Sequence, residues 1–410
     1  MLSVEEALER VLAVTPVLGC ETVELTAALG RVLAEPVVAG RDLPPWNNSS
    51  MDGYALRASD TASATADRPA RLRLLGEIPA GAVAEREVGS GEAYRILTGA
   101  PMPGGADAVI PQEEVRREGT VVVVPRPVGR GDFVRPQGED IRAGESILAS
   151  GALLGPAALG VLAALGRPLV RVYQRPRVAI LSTGDELVDL GRVPGPGQIP
   201  NSNTYTLSAQ VREAGGIPVN LGIARDAREE LEERFRWGLT ADVLVSSAGV
   251  SVGDRDFVRG VMEKLGAELD FWKVSMRPGK PLTFGRLGGR PFFGLPGNPV
   301  SSMVTFELFV RPALRRMGCH ERLFRPRVRA RLLAPLDNPG PRRGYLRVRL
   351  FDEGGQITAR PTGEQGSGIL RSMLLADGLA VLPPDTRVEA GMALEVILLR
   401  GDWAPSSRGT

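Results

Sequence analysis

"RPFFGLPGNPVSSMVTFELFV", residues 290–310, carries an apolar β-type run into a helix-periodic one. Gly294, Pro296, Gly297, Asn298 and Pro299 crowd the junction. A plain connector needs no turn so constrained. Asn298 suits an N-cap and Pro299 the first helical position. A helix begun this way presents free N–H donors and a positive dipole end, which is a setting for an anion.

Outward from this junction, strand and helix patterns alternate. "RVAILS" (177–182), "IPVNLGI" (217–223), "ADVLVSS" (241–247) and "AELDFWKVSM" (267–276) are expected strands. Residues 203–215, 228–239 and 257–266 are expected helices, and 281–295 a hairpin. This alternation indicates a mainly parallel sheet covered by helices, whose ligands bind beyond the carboxyl ends of the strands.

The flanks differ. "VEEALERVLAVT" (4–15), "LTAALGRVLAEPV" (25–37) and "GPAALGVLAALG" (155–166) have helical spacing. From "LPPWNNSSMDGYALR" to about residue 141, short β runs alternate with Gly/Pro turns. The tail returns to β runs, with a turn at Gly354-Gly355, and "GDWAPSSRGT" (401–410) is expected to fray. The expected organisation is a multidomain α/β protein. It has a helical N-terminal domain (1–41 plus 142–176), an inserted β-rich module (42–141), a central α/β domain (177–325) and a C-terminal β-barrel or sandwich (326–402).

With 410 residues the chain exceeds what one core serves, roughly 250–300 residues. Lys plus Arg is 50 and Asp plus Glu is 48, a formal charge of +2. There is no global field for nucleic acid or an anionic membrane, so any anion site is local. Cys20 and Cys319 cannot build a disulfide framework or a four-thiolate metal site. The single histidine, His320, is expected at a surface or helix-capping position and argues against histidine-based catalysis. No apolar run reaches about 18 residues, so no membrane span is expected. The acidic, amphipathic start does not read as a signal peptide, and the cytoplasm is the expected compartment.

Four loops follow four expected strands: "TGDE" (183–186), "AGVSVGDRD" (248–256), "MRPGKP" (276–281) and "PGNPVSS" (296–302). Gly249, Gly253, Gly297 and the serine-rich turns can expose backbone N–H groups, and Lys273, Arg277 and Lys280 add positive charge. Asp185, Glu186, Asp226, Asp254 and Asp256 suit a hydrated Mg²⁺ or polar ligand groups. Singly, each loop reads as an ordinary capped or solvated turn. Their joint placement after successive strands points to a phosphorylated ligand handled with a metal. The Walker-type glycine pattern is absent.

Seven stretches in order carry a resemblance. They are "NNSSMDGYALR", "RILTGAPMPGGADAVI", "GEDI", "ILSTGDEL", "SSAGVSVGDRD", "FWKVSMRPGKPLTFG" and "FFGLPGNPVSSMVTF". Together they resemble the molybdenum-insertion enzymes of molybdenum-cofactor biosynthesis, a family that includes bacterial molybdopterin molybdenumtransferases and the E domain of gephyrin. The resemblance covers essentially the whole chain. It implies Mg²⁺-dependent hydrolysis of adenylylated molybdopterin, transfer of molybdenum from molybdate to the dithiolene, and release of AMP. It also implies a homodimer of four-domain subunits with an active site shared between subunits, and a molybdopterin adenylyltransferase upstream.

Residue by residue, the resemblance implies functional acids at Asp52, Asp140, Glu186, Asp226 and Asp256, with Thr98 beside them, and basic groups at Lys273, Arg277 and Lys280. Glu186, Asp226 and Asp256 are the expected metal ligands. The pterin ligand is expected at Thr183, Gly184, Asp185, Ser247, Gly249, Ser251, Gly253, Pro278, Gly279, Gly297, Asn298 and Pro299. Molybdate is expected near Arg277, Lys280, Ser301, Arg342 and Ser372. The chain departs from the family pattern at four positions: Arg277 for Lys, Ala248 for Gly, Asp254 for Glu, and Gly344 for an acid. Two alternatives are a non-catalytic pterin-binding scaffold and the related adenylyltransferase, which lacks the inserted and C-terminal modules.

Overall fold

Alternation along Arg177–Thr183 explains the central sheet: Val178 and Ile180 pack into one core, Ala179 and Leu181 into another. A strand buried on both faces reads as a continuous apolar run, as "RVAILS" does. The computed structural model describes residues 1–225, 227–248 and 257–400. Asp226, residues 249–256 and the tail 401–410 lie outside the described residues, and with them Gly249, Ser251, Gly253, Asp254 and Asp256. The chain forms two compact units: Val23–Leu29 with Glu35–Val170, and Met1–Thr22 with Gly30–Ala34 and Arg171–Thr410.

The larger unit holds a six-stranded sheet in the order Ile217–Ala224, Arg177–Thr183, Val243–Ser247, Arg290–Leu295, Thr283–Leu287, Glu268–Phe271. The first four strands are parallel, and the last two pair antiparallel at one edge. The helix Ser202–Glu213 covers one face with the helical run that starts at Pro299 and continues, through a π turn at Phe306–Val310, to Met317. Arg228–Gly238 and Phe257–Lys264 cover the other. The N-terminal helix Val4–Val14 starts with a capping box, in which Ser3 and Glu6 exchange hydrogen bonds. Its Val4, Ala7 and Val11 pack into the same core as Val304 and Leu314.

Five C-terminal strands close into a barrel. Arg343–Glu353 pairs with Gln356–Pro361 and with Gly378–Leu382, Arg327–Leu332 with Gln356–Pro361 and Ala393–Leu398, and Gly378–Leu382 with Ala393–Leu398. The Gly354-Gly355 turn joins Glu353 to Gln356 as expected. The expected strand 267–276 is not one strand. Glu268–Phe271 stays in the α/β sheet, while Met276–Arg277 pairs in parallel with Arg343–Gly344 of the barrel.

The smaller unit is built on a six-stranded sheet, with order Ala108–Pro111, Gly53–Leu56, Glu92–Ile96, Ala70–Ile78, Val121–Val124, Arg116–Glu118. Apolar side chains fill both of its faces. Helix Pro156–Ala164 forms where expected. The expected helix 25–37 does not form. Only Leu25–Ala27 makes a 3-10 turn, after which Gly30 takes a φ of +72° and Leu33 bridges to Val172 as extended chain.

His320 stands at the helix-capping position expected of it, its N–H donating to Arg315 O at 2.9 Å just past the helix Arg311–Met317. Its ring is half-buried over Gly215 and Gly318, and burial, then Arg315 and Arg311, pull its pKa to about 4. The imidazole is thus neutral in the fold but protonates near 6.5 when unfolded. Its contribution to stability is full above about pH 6.5 and is lost as pH falls towards 4. Proton NMR of the one histidine is expected to give a midpoint near 4. The urea midpoint of His320→Gln is expected to fall less than the wild type's between these two pH values.

Candidate active site

Strands Arg177–Thr183, Val243–Ser247 and Arg290–Leu295 run in parallel register and end together, with Ser182 opposite Ser247 and Ser247 opposite Leu295. The loops that leave them surround a cleft of about 590 Å³. Of the expected site residues, Glu186, Ser247, Gly297, Asn298 and Pro299 line it, with Asn203, Ala248, Pro281 and Gly368 beside them. Thr183 is buried at its strand end with no hydrogen-bond partner for its hydroxyl, and Asp185 is exposed.

Glu186 is exposed, with its carboxylate folded back beside Gly184. That glycine has a φ of +142°, and a Cβ there would stand 2.4 Å from Glu186 Oε2. Ala248 adopts a φ of +71°, a left-handed conformation natural to glycine and strained for alanine. Asn203 gave no signal in the sequence beyond a polar run, yet it ties the cleft together. Its Nδ2 donates to Ser247 Oγ at 2.7 Å and to Gly297 O at 2.7 Å. One amide thus joins the end of a central strand to the turn before the Pro299 helix. Beneath it, Ser182 and Thr204 share a hydrogen bond, and both also bond to the Asn201 side chain.

The Pro299 helix end is less open than its sequence suggests. Asn298 stands at the N-cap, but its side chain makes no capping bond. Instead Nδ2 donates to Ser367 Oγ at 3.1 Å, and Val300 N donates to Ser367 O at 3.1 Å. A loop of the barrel region therefore covers the first donor of this helix.

A cationic group lies where Met276–Arg277 joins the barrel. Arg277 Nη1 donates to Pro339 O at 3.3 Å, and Arg342 Nη1 to Met276 O at 3.4 Å. The guanidinium on Ser372 is that of Arg347, whose Nε donates to Ser372 Oγ at 3.0 Å. Arg347 is fully buried, Nη2 donates to Gly366 O at 3.0 Å, and Nη1 has no partner. Burial, then the charge of Arg277, pulls its pKa down to about 10, which leaves it charged at neutral pH. Among the described residues no carboxylate pairs with Arg347. Ser301 is buried in the first turn of the Pro299 helix, and Pro278 and Gly279 in their own turn. Lys273 is half-buried and Lys280 exposed, next to the cleft-lining Pro281.

In the smaller unit, Asp52 Oδ1 accepts from Thr98 N at 2.7 Å and from Thr98 Oγ1 at 2.7 Å. Those donors, the backbone one foremost, lower the Asp52 pKa. Asp140 is exposed in a separate turn, its N–H donating to Leu43 O at 3.0 Å. Among the described residues no three acidic, histidine or cysteine side chains cluster as metal ligands. Of the expected metal ligands only Glu186 is described. A hydrated Mg²⁺ asks for little more, because it is held by one or two carboxylates and ligand phosphates.

Three family models match in succession: the MoeA N-terminal region (domains I and II) at residues 2–166, a probable molybdopterin-binding domain at 179–316, and the MoeA C-terminal region (domain IV) at 329–399. A molybdopterin molybdenumtransferase of Nostoc sp. is 40% identical over 390 residues, covering 92% of this chain and 88% of that one. Its counterpart in Bacillus subtilis is 35% identical over 424 residues, covering 100% and 98%. The crystal structure of a molybdopterin biosynthesis MoeA protein from Pyrococcus horikosii matches with a TM-score of 0.83 at 35% identity, covering 98% of this chain and 100% of that one.

Because Ala248 bears a Cβ in a left-handed conformation, Ala248→Gly is expected to raise stability by about 1 kcal/mol, read as a higher denaturant midpoint.

Proposed function

The chain belongs to the MoeA family of molybdopterin molybdenumtransferases, and from that premise we propose how its cleft works. Adenylylated molybdopterin occupies the cleft bounded by Glu186, Ser247 and Asn298, and molybdate binds at the neighbouring cationic group. The carrying observation is the buried Arg347 guanidinium with Nη1 unpartnered and Ser372 Oγ on its Nε.

The physical problem is to bring two anionic reactants together. Arg347, Arg277 and Lys280 offset the charge of the oxyanion. Arg347 presents a planar fork whose buried Nη1 has no protein partner, and such a fork pairs with an oxyanion. Asn203 holds Ser247 and the Gly297 turn at a set separation, so the ligand meets a preformed wall. Glu186 would hold Mg²⁺ in this reading, joined by Asp226 and Asp256. Bound there, the ion supplies charge neutralisation at the phosphoanhydride. Water cleaves that anhydride and AMP leaves; the two dithiolene sulfurs then bond to molybdenum, their two protons leaving with one oxo ligand of molybdate as water. The protein acts in this reading as a homodimer, downstream of a molybdopterin adenylyltransferase.

The test is AMP release from adenylylated molybdopterin by purified protein. Release is expected only when molybdate and Mg²⁺ are both present, and equal release without molybdate would sink the transfer reading. Arg347→Met, apolar and of similar length, is expected to raise the half-saturating molybdate concentration roughly 10- to 100-fold, the loss of a charge-assisted bond of about 1.5–3 kcal/mol. Gly184→Ala, which displaces the Glu186 carboxylate, is expected to raise the Mg²⁺ requirement while leaving the molybdate requirement near wild type.

A further inference from the structure

We infer that Ser367 is a positioning residue that couples the two ends of this site, so that an oxyanion at Arg347 tightens the grip of the cleft on its nucleotide-bearing ligand; this rests on the reading above. Arg347 holds one short segment twice, through Nη2 to Gly366 O at 3.0 Å and Nε to Ser372 Oγ at 3.0 Å. Gln365 fastens the same turn, Oε1 accepting from Arg347 N at 2.8 Å. The next residue, Ser367, faces the other way: its carbonyl accepts from Val300 N and its hydroxyl from Asn298 Nδ2, both at 3.1 Å. Gly368 then lines the cleft. A single peptide step separates the contact to the buried cation from the contacts to the cleft rim.

Pro299 has no N–H, so Val300 offers the first donor of the helix, and Ser367 covers it. The guanidinium is a rigid planar fork. An anion engaging Nη1 turns that fork, and Nε and Nη2 turn with it. The displacement at Gly366 passes to Ser367, uncovers the Val300 N–H and releases the Asn298 amide for a phosphate on the ligand. Direct repulsion between two bound anions would produce the opposite sign, so the sign of the coupling separates the two accounts.

The experiment is calorimetric titration of the full chain with AMP, without molybdate and at saturating molybdate. In the wild type, molybdate is expected to lower the Kd for AMP about tenfold, with AMP lowering the Kd for molybdate by the same factor. Ser367→Ala is expected to bind molybdate alone as the wild type does, with an unchanged melting temperature. Its coupling is expected to shrink about two- to tenfold, the range of one neutral hydrogen bond. Ser367→Thr, which keeps the hydroxyl, is expected to restore it. Undiminished coupling in Ser367→Ala, or weaker AMP binding with molybdate in the wild type, overturns the inference. Absence of any molybdate binding overturns instead the assignment of Arg347 as the oxyanion site, and the coupling falls with it.

Discussion

Parallel register is the constraint on which the rest depends. With Ser182, Ser247 and Leu295 level across three adjacent strands, their three loops must leave at one edge. Burial of both sheet faces locks that register, since a slip of one residue would exchange Val178 and Ile180 with Ala179 and Leu181 between two differently shaped cores. The cleft is thus a consequence of core packing. The functional groups needed no folding code of their own beyond short polar loops.

Charge forms a second layer on this frame. The charge balance of the whole chain is nearly even, yet one corner of the larger unit gathers Arg277, Arg342 and Arg347 with no described carboxylate on any of them. Elsewhere buried arginines are matched: Arg325, for example, is held by Glu307 and Glu213. This contrast between a buried cation held by carboxylates and one held only by neutral groups underlies the proposal that Arg347 meets an anion.

Much of this was legible in the sequence because period and punctuation carry it. The βα alternation and the Gly354-Gly355 hairpin follow from local patterns. The failures share a cause in long-range pairing. Residues 25–37 have helical spacing, but the chain leaves the helix at Gly30 and extends to meet Val172. Residues 267–276 read as one strand because nothing local marks where one sheet hands over to another. Arg347 stayed hidden because "YLRVRL" alternates plainly: Leu346, Val348 and Leu350 fill the barrel, and only the fold shows that Tyr345 and Arg347 on the opposite parity are buried as well, while Arg349 is exposed. Asn203 stayed hidden because a clamp across two loops needs both loops in place.

The two-residue pairing of Met276–Arg277 with Arg343–Gly344 bears on how such a protein can evolve. It stitches the α/β layer to the barrel through the same short segment that bears Arg277. The α/β layer therefore meets the barrel through its own backbone at Met276–Arg277. A recombination event that moved it alone into a new gene would transplant the floor of the cleft but leave behind the guanidinium and the serine loop that face it.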